Sequence, residues 1–204
     1  MVLPKFYSFE PNLQNTIRFC ESLSLNHYFV SNRERKQEED IVVPISKGLG
    51  NVEESKKFYS FQKGNPGSFT FKSKGKNTKL LDILNITTLD AFAERHGWFD
   101  SKPNIGFFKL DVENFELEVL EGAEKLLKSH LIEKIALELK PEQNEERKLN
   151  ILKHLFNAGY EIHMHGRFRG PAEIVEKTFN SPEELAEDLK NYGENVLFRL
   201  RKTI

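Results

Sequence analysis

The sequence predicts an α/β fold, because segments of strand character alternate with segments of helical periodicity over most of its 204 residues. Such alternation calls for parallel strand pairings with helices laid on the sheet. The most informative stretch runs from Ile105 to Leu127, where the apolar segment Ile105-Gly-Phe-Phe-Lys-Leu110 leads straight into Asp111 and Glu113. Beyond them Phe115, Val119, Leu120, Ala123, Leu126 and Leu127 form one apolar stripe of a helix that packs on the sheet. Ligands of open α/β sheets bind outside the carboxyl ends of the strands, so two carboxylates two residues apart on extended backbone mark this rim as a candidate site.

The length suits one well-buried domain spanning residues 1–204. Thirty Lys and Arg against 31 Asp and Glu leave a net charge of −1, so no global field attracts nucleic acid or an anionic membrane. A single cysteine, Cys20, excludes an intramolecular disulfide framework and fits a reducing compartment. No apolar run approaches the roughly 20 residues of a membrane helix. The start Met1-Val-Leu-Pro-Lys-Phe-Tyr7 lacks the basic and long apolar regions of a signal peptide, and the expected location is cytoplasmic.

Phe6-Tyr-Ser-Phe-Glu10 reads as a strand stopped by Pro11, and Leu13, Ile17, Cys20 and Leu23 then recur at helical spacing, with Asn12 as N-cap and Asn26-His27 near the far end. The segment from Arg33 to Asp40 is almost wholly charged and belongs in a solvated loop. Ile41-Val-Val-Pro-Ile45 is a strand whose Pro44 implies an edge position or a break, and Gly48-Leu-Gly50 turns the chain. Lys57–Phe61 and Ser68–Phe71 alternate around the turn-forming Lys63-Gly-Asn-Pro-Gly67, predicting a β-hairpin excursion near residues 57–72. Leu80–Leu84 and Ile86–Leu89 are short β-leaning segments, and Asp90 is placed to cap a short helix through Glu94 that ends near Gly97.

After the Ile105–Leu127 segment, Glu133–Leu139 is the next strand. Glu145–Asn157 is the next helix, with Leu149, Leu152, Leu155 and Phe156 inward and Gly159 beyond its end. Tyr160–His165 makes a further strand. Ser181-Pro-Glu-Glu184 combines an N-cap, a proline at the first helical position and a glutamate three residues after the cap, and so starts a helix to about Tyr192. Gly193 ends it and Asn195–Leu200 is a closing strand.

Four pieces, in order, resemble the FkbM-type branch of the S-adenosylmethionine-dependent methyltransferases. Phe9-Glu10-Pro11-Asn12 resembles the family's second strand, whose acidic residue receives the ribose hydroxyls of the cofactor, and Lys47-Gly-Leu-Gly50 resembles the segment closing the third. Thr88-Leu-Asp90 resembles the element before the fourth strand. Lys109-Leu-Asp-Val-Glu113, with Phe115-Glu116 and Glu121-Gly-Ala123, resembles the family's most recognisable block. The resemblance implies a Rossmann-like class I methyltransferase sheet with helices on both faces, S-adenosylmethionine as methyl donor, and an oxygen on a small molecule or glycan as acceptor.

It also implies site residues. Glu10, with Gly48 and Asp111, is a candidate for holding the cofactor, since one carboxylate can accept hydrogen bonds from both ribose hydroxyls. Asp111 and Glu113 are the catalytic candidates: either is suited to take a proton from a hydroxyl acceptor or to hold the cofactor's cationic portion. The family precedes its Phe-Glu-Pro strand with a first strand, between the second and fourth, and a glycine loop of the form Asp-Val-Gly-Ala-Asn-Gly. Here nine residues stand before Glu10 and that motif is absent, so the expectation is an N-terminally incomplete member. Asn114 stands where the family usually has glycine, and Asn tolerates positive φ better than most residues. The competing class is a non-catalytic methyltransferase-like remnant that binds a protein partner through the open sheet position.

Plainer roles stand beside each of these. Glu10, Asp111 and Glu113 are all placed to favour the positive end of a following helix, Thr88-Leu-Asp90 reads as a helix entry, and Gly48 and Gly50 as turn residues. His163-Met-His165 on a strand puts two imidazoles on one face, but no third ligand stands at metal spacing and no metal is expected. Lys63, Lys72, Lys74, Lys76 and Lys79 around the Phe-rich hairpin resemble a single-stranded nucleic-acid platform. Phe69 and Phe71 are more simply its buried face with lysines at a wet edge, and neither nucleic acid nor membrane is an expected partner. Nothing in the sequence indicates an oligomeric state.

Overall fold

The computed structural model describes residues 5–26, 29–30, 41–61, 69–70, 78–112, 114–139, 144–166, 172–190 and 195–201. The charged segment 33–40, the turn at 63–67, Phe71, Lys63, Lys72, Lys74, Lys76, Glu113, Tyr192 and Gly193 lie outside the described residues. The chain forms two compact units, Met1–Thr87 and Thr88–Ile204.

In the first unit β1 (Lys5–Phe9) leads through Pro11 into α1 (Leu13–Leu25), and β2 (Phe29–Val30) and β3 (Ile41–Ile45) follow. Asn12 caps α1, its side-chain oxygen accepting the Gln14 N–H at 2.9 Å. The side of α1 turned inward carries Thr16, Phe19, Cys20 and Leu23, whereas Leu13 and Ile17 of the predicted apolar series are 58% and 49% exposed. Thr16 sets this rotation: it is buried, with its hydroxyl bonded to the Glu10 and Asn12 carbonyl oxygens at 3.0 and 3.2 Å.

β3 lies between β1 and β2 with both pairings parallel. β2 reaches only Val42, so Pro44 borders β1 alone among the described residues, and its missing N–H interrupts no second ladder.

The rest of this unit is a four-stranded sheet: β4 (Gly48–Leu49), β5 (Glu54–Phe61), β6 (Phe69–Thr70) and β7 (Thr78–Thr87), in the order β4-β7-β5-β6. The predicted hairpin is present as β5 antiparallel to β6, and β5 also pairs antiparallel with β7. The two short segments expected between Leu80 and Leu89 are instead one ten-residue strand. Pairing with the whole of β5 carries the extended backbone across polar Asp82 and Asn85, which local propensity alone disfavours.

The second unit opens with α2 (Leu89–Arg95) and α3 (Trp98–Ser101). The cap of α2 is Thr88 rather than Asp90: its hydroxyl accepts the Ala91 N–H at 3.0 Å. Then come β8 (Phe108–Leu110), α4 (Glu116–Glu121), α5 (Glu124–Lys128), β9 (Lys134–Glu138), α6 (Glu145–Asn157), β10 (Tyr160–Gly166), β11 (Ala172–Ile174), α7 (Pro182–Leu189) and β12 (Asn195–Leu200). The single helix expected after Asp111 is therefore two, broken at Gly122-Ala123. Asp90 causes the break by accepting the Lys125 and Leu126 N–H groups at 2.8 Å each and so supplying α5 with its own N-terminal acceptor.

The sheet order is β11-β10-β12-β9-β8. β8 and β9 are parallel, but β12 is antiparallel to both β9 and β10, so the sheet is mixed rather than wholly parallel. β8, β9 and β10 consequently end on one rim, where β12 begins.

The cross-strand row Leu110, Leu137, Val196 and His165 is buried. So are Val119, Leu120, Leu126, Leu127, Ile151, Leu152 and Leu155 of the helices, at 1% exposure or less, and this is the core that fixes the rim. The next row, Lys109, Ala136, Leu197, Met164 and Ile174, presents the other face and is half-buried to exposed. No helix among the described residues is long and apolar enough to cross a membrane.

Candidate active site at the carboxyl rim of the second unit

Asp111 and Glu138 each stand one residue beyond a paired leucine, Leu110 on β8 and Leu137 on β9, and so arrive together at the rim. With Asn195, Met164, His165 and Leu137 they line a pocket of about 300 Å³. That is the lower end of the roughly 300–1,000 Å³ found for small-molecule clefts. The Asp111 carboxylate accepts from Lys109 Nζ at 3.0 Å, both side chains being largely exposed, at 48% and 67%. Such a pair contributes little stability and leaves Asp111 open to a ligand cation.

Past Asp111 the chain passes through Asn114 at φ 68°, a left-handed conformation that Asn tolerates better than most residues. The Asn114 N–H is bonded to Glu116 Oε1 at 3.1 Å, and Glu116 is 2% exposed. Glu113, the other catalytic candidate, lies outside the described residues.

His165 and Glu138 were not singled out for this pocket by sequence. The rule that located Asp111, a polar residue at the carboxyl end of an apolar strand, finds both once it is applied to β9 and β10. His165 gets there through a β-bulge: Ile162 pairs with Phe198 but Met164 pairs with Leu197, leaving His163 as the extra residue. The bulge places His165 opposite Val196, on the buried face shared by Ile162 and Phe198. Among the described residues no group of three or more His, Cys, Asp or Glu side chains is arranged to hold a metal.

Glu10 and Gly48 belong to the first unit. Glu10 stands at the end of β1, where its Oε1 accepts the Asn12 N–H at 2.7 Å and its Oε2 lies 3.5 Å from the Asn15 amide. Its backbone N–H bonds the Ile45 carbonyl at 3.1 Å. The carboxylate is thus held at the start of α1, the plainer of its two roles, with its position fixed by strand and helix together. Gly48 is buried, and a Cβ there would stand 2.6 Å from Ile86 Cδ1. Close packing within its unit is reason enough for glycine. Asp90 of the third motif piece serves α5, as described above.

A family model described as the methyltransferase FkbM domain matches residues 2–162, well over half of the sequence. The chain belongs to the FkbM methyltransferase family. No curated protein and no solved structure matches it significantly. In this FkbM-family chain the block from Lys109 to Ala123 forms the end of β8, the turn at Asn114, α4 and the break before α5. Glu116 and Ala123 serve packing and the turn, while Asp111 alone among the block's described carboxylates lines the rim pocket.

Proposed function

We propose that this FkbM-family chain is an S-adenosylmethionine-dependent methyltransferase acting on a hydroxyl oxygen of a small molecule or glycan. The observation that carries the reading is the position of Asp111: the acidic residue of the family's most specific block stands at the carboxyl rim of the sheet, in a pocket shared with Glu138 and His165. The pocket's chemistry fits the cofactor, since carboxylates suit a cationic sulfonium and ammonium, and Leu137, Val196 and Met164 suit its apolar parts. When bound, the cofactor supplies an electrophilic methyl group.

The chain's own work is then to position two reactants and to remove one proton. Asp111 is the described group best placed to hold positive charge or to accept that proton, and the resemblance gives Glu10 the role of receiving ribose hydroxyls. The finer fold reading is a Rossmann-like sheet that lacks its first strand, the one the family places between the second and fourth. β1 and β8, which the resemblance equates with those two strands, are each the terminal strand of their own sheet.

Isothermal titration with S-adenosylmethionine tests the reading, and absence of heat at millimolar ligand removes it. Asp111→Asn divides the two roles for that residue: loss of affinity marks a cation holder, loss of turnover at unchanged affinity marks a base. Glu10→Gln keeps an oxygen for the Asn12 N–H and removes the charge, so it should weaken binding by about 1.5–3 kcal/mol with little change in stability.

A further inference from the structure

Asp111 and Val112 follow β8 without regular secondary structure, and a side chain from a distant helix holds Asn114 beyond them. Arg147, in the first turn of α6, donates through Nη2 to the Asn114 carbonyl at 2.8 Å. The same guanidinium donates through Nη1 to Glu118 Oε1 at 3.1 Å and through Nη2 to Glu118 Oε2. The Arg147 backbone is itself fixed, its N–H bonding the Asn144 cap oxygen at 3.1 Å. Both side chains of the ion pair are three-quarters buried, with 25% exposure each.

Asn114 is therefore held from both ends, its N–H by buried Glu116 and its carbonyl by Arg147, in a conformation at φ 68° that the chain does not favour by itself. The planar guanidinium fork spreads its donors over separate nitrogens and so serves the α4 carboxylate and the turn's carbonyl together, whereas a lysine ammonium gathers its donors on one nitrogen and matches that spread less well.

We infer that Arg147 is a positioning residue for the proposed site. By clamping the Asn114 carbonyl to α6 it sets the direction in which the chain leaves Asp111, and hence where that carboxylate stands at the rim. The inference rests on the reading of Asp111 as a cofactor- or proton-handling group, but the clamp itself is testable without a cofactor.

Two variants separate positioning from bulk stability. Arg147→Lys keeps a cation for Glu118 and gives up the bond to Asn114, whereas Glu118→Gln weakens the ion pair and keeps that bond. Hydrogen exchange at the Asn114 amide should accelerate in Arg147→Lys and stay near the unaltered rate in Glu118→Gln. Equal rates in the two overturn the inference, whether or not the protein binds S-adenosylmethionine. In titration, Arg147→Lys should bind S-adenosylmethionine on the order of tenfold more weakly at nearly unchanged Tm. Glu118→Gln should lose Tm and hold its affinity within about twofold. Affinity that follows Tm in both variants reduces Arg147 to a structural residue. A protein that gives no binding heat before any substitution refutes the cofactor reading and leaves the exchange experiment to decide the clamp.

Discussion

The Asp90 carboxylate, carried on α2, accepts the backbone N–H of Leu126 at 2.8 Å, and its second oxygen takes the Lys125 N–H at the same distance. The Asp90 N–H in turn bonds the Gly122 carbonyl at 2.9 Å, so one residue closes both sides of the α4–α5 break. Removing an N-terminal acceptor costs about 0.5–2 kcal/mol, and here two donors lose their partner. Asp90→Ala should fall at the upper end of that range in urea denaturation with an unchanged m-value, and Asp90→Asn should recover part of the loss. Affinity for S-adenosylmethionine should not change. A loss of affinity at unchanged stability would instead make Asp90 a ligand contact.

Tyr160 is fully buried and donates its hydroxyl to the Ile132 carbonyl at 2.8 Å. Tyr160→Phe leaves that carbonyl without its side-chain donor and should cost about 1–3 kcal/mol. Burial also pushes the Tyr160 phenol above its ordinary range. The unfolded chain titrates near pH 10, so the extra stability is fully present below about pH 10 and is lost as the pH rises toward the folded value. Thermal scans should therefore show the gap between the unaltered protein and Tyr160→Phe narrowing above about pH 10.

Gly48 admits no side chain without movement of Ile86, whose Cδ1 would stand 2.6 Å from a new Cβ. The obstructing atom is the end of a side chain that is itself 4% exposed, so relief by rotation is restricted. Gly48→Ala should lose about 1–3 kcal/mol. Ile86→Val removes the obstructing methyl, and the double variant should be more stable than the sum of the single losses predicts. Strict additivity would show that the clash is relieved elsewhere.

Sequence reading succeeded where the determinants are local. Asn12 starts α1, Ser181 with Pro182 starts α7, and Gly159 at φ 85° follows α6, all within one turn of the helix they delimit. It failed where the determinant is distant along the chain. The break between α4 and α5 is set by a carboxylate 35 residues earlier, and the bulge at His163 exists only through pairing with β12. Asp111 was legible because a strand end is visible in the hydrophobic pattern. Glu138 follows by the same rule from β9, which pairs directly with β8, whereas His165 joins them only because β12 inserts between β9 and β10. The inward face of α1 was misjudged for a related reason: a polar residue, Thr16, is buried through two hydrogen bonds, and hydrophobic periodicity does not register it.

The start of α7 supplies a test of the acid side. Glu184 accepts the Asn180 N–H at 3.0 Å and lies 3.4 Å from Lys177 Nζ, and the backbone hydrogen bond, foremost, holds its carboxyl below the ordinary range. A depressed carboxylate stabilises the folded state above the unfolded value, near pH 4.3, and that contribution disappears as the pH falls through the folded value. Tm should therefore be lower in Glu184→Gln than in the unaltered protein at neutral pH, with the two curves converging below about pH 4. Ser181→Ala removes the neutral cap, whose hydroxyl accepts the Glu184 N–H at 3.1 Å. Because no proton is gained or lost at that hydroxyl, its cost of about 1 kcal/mol should persist across the same pH range. A Ser181→Ala gap that closed at low pH would mean that cap and carboxylate act as one coupled unit.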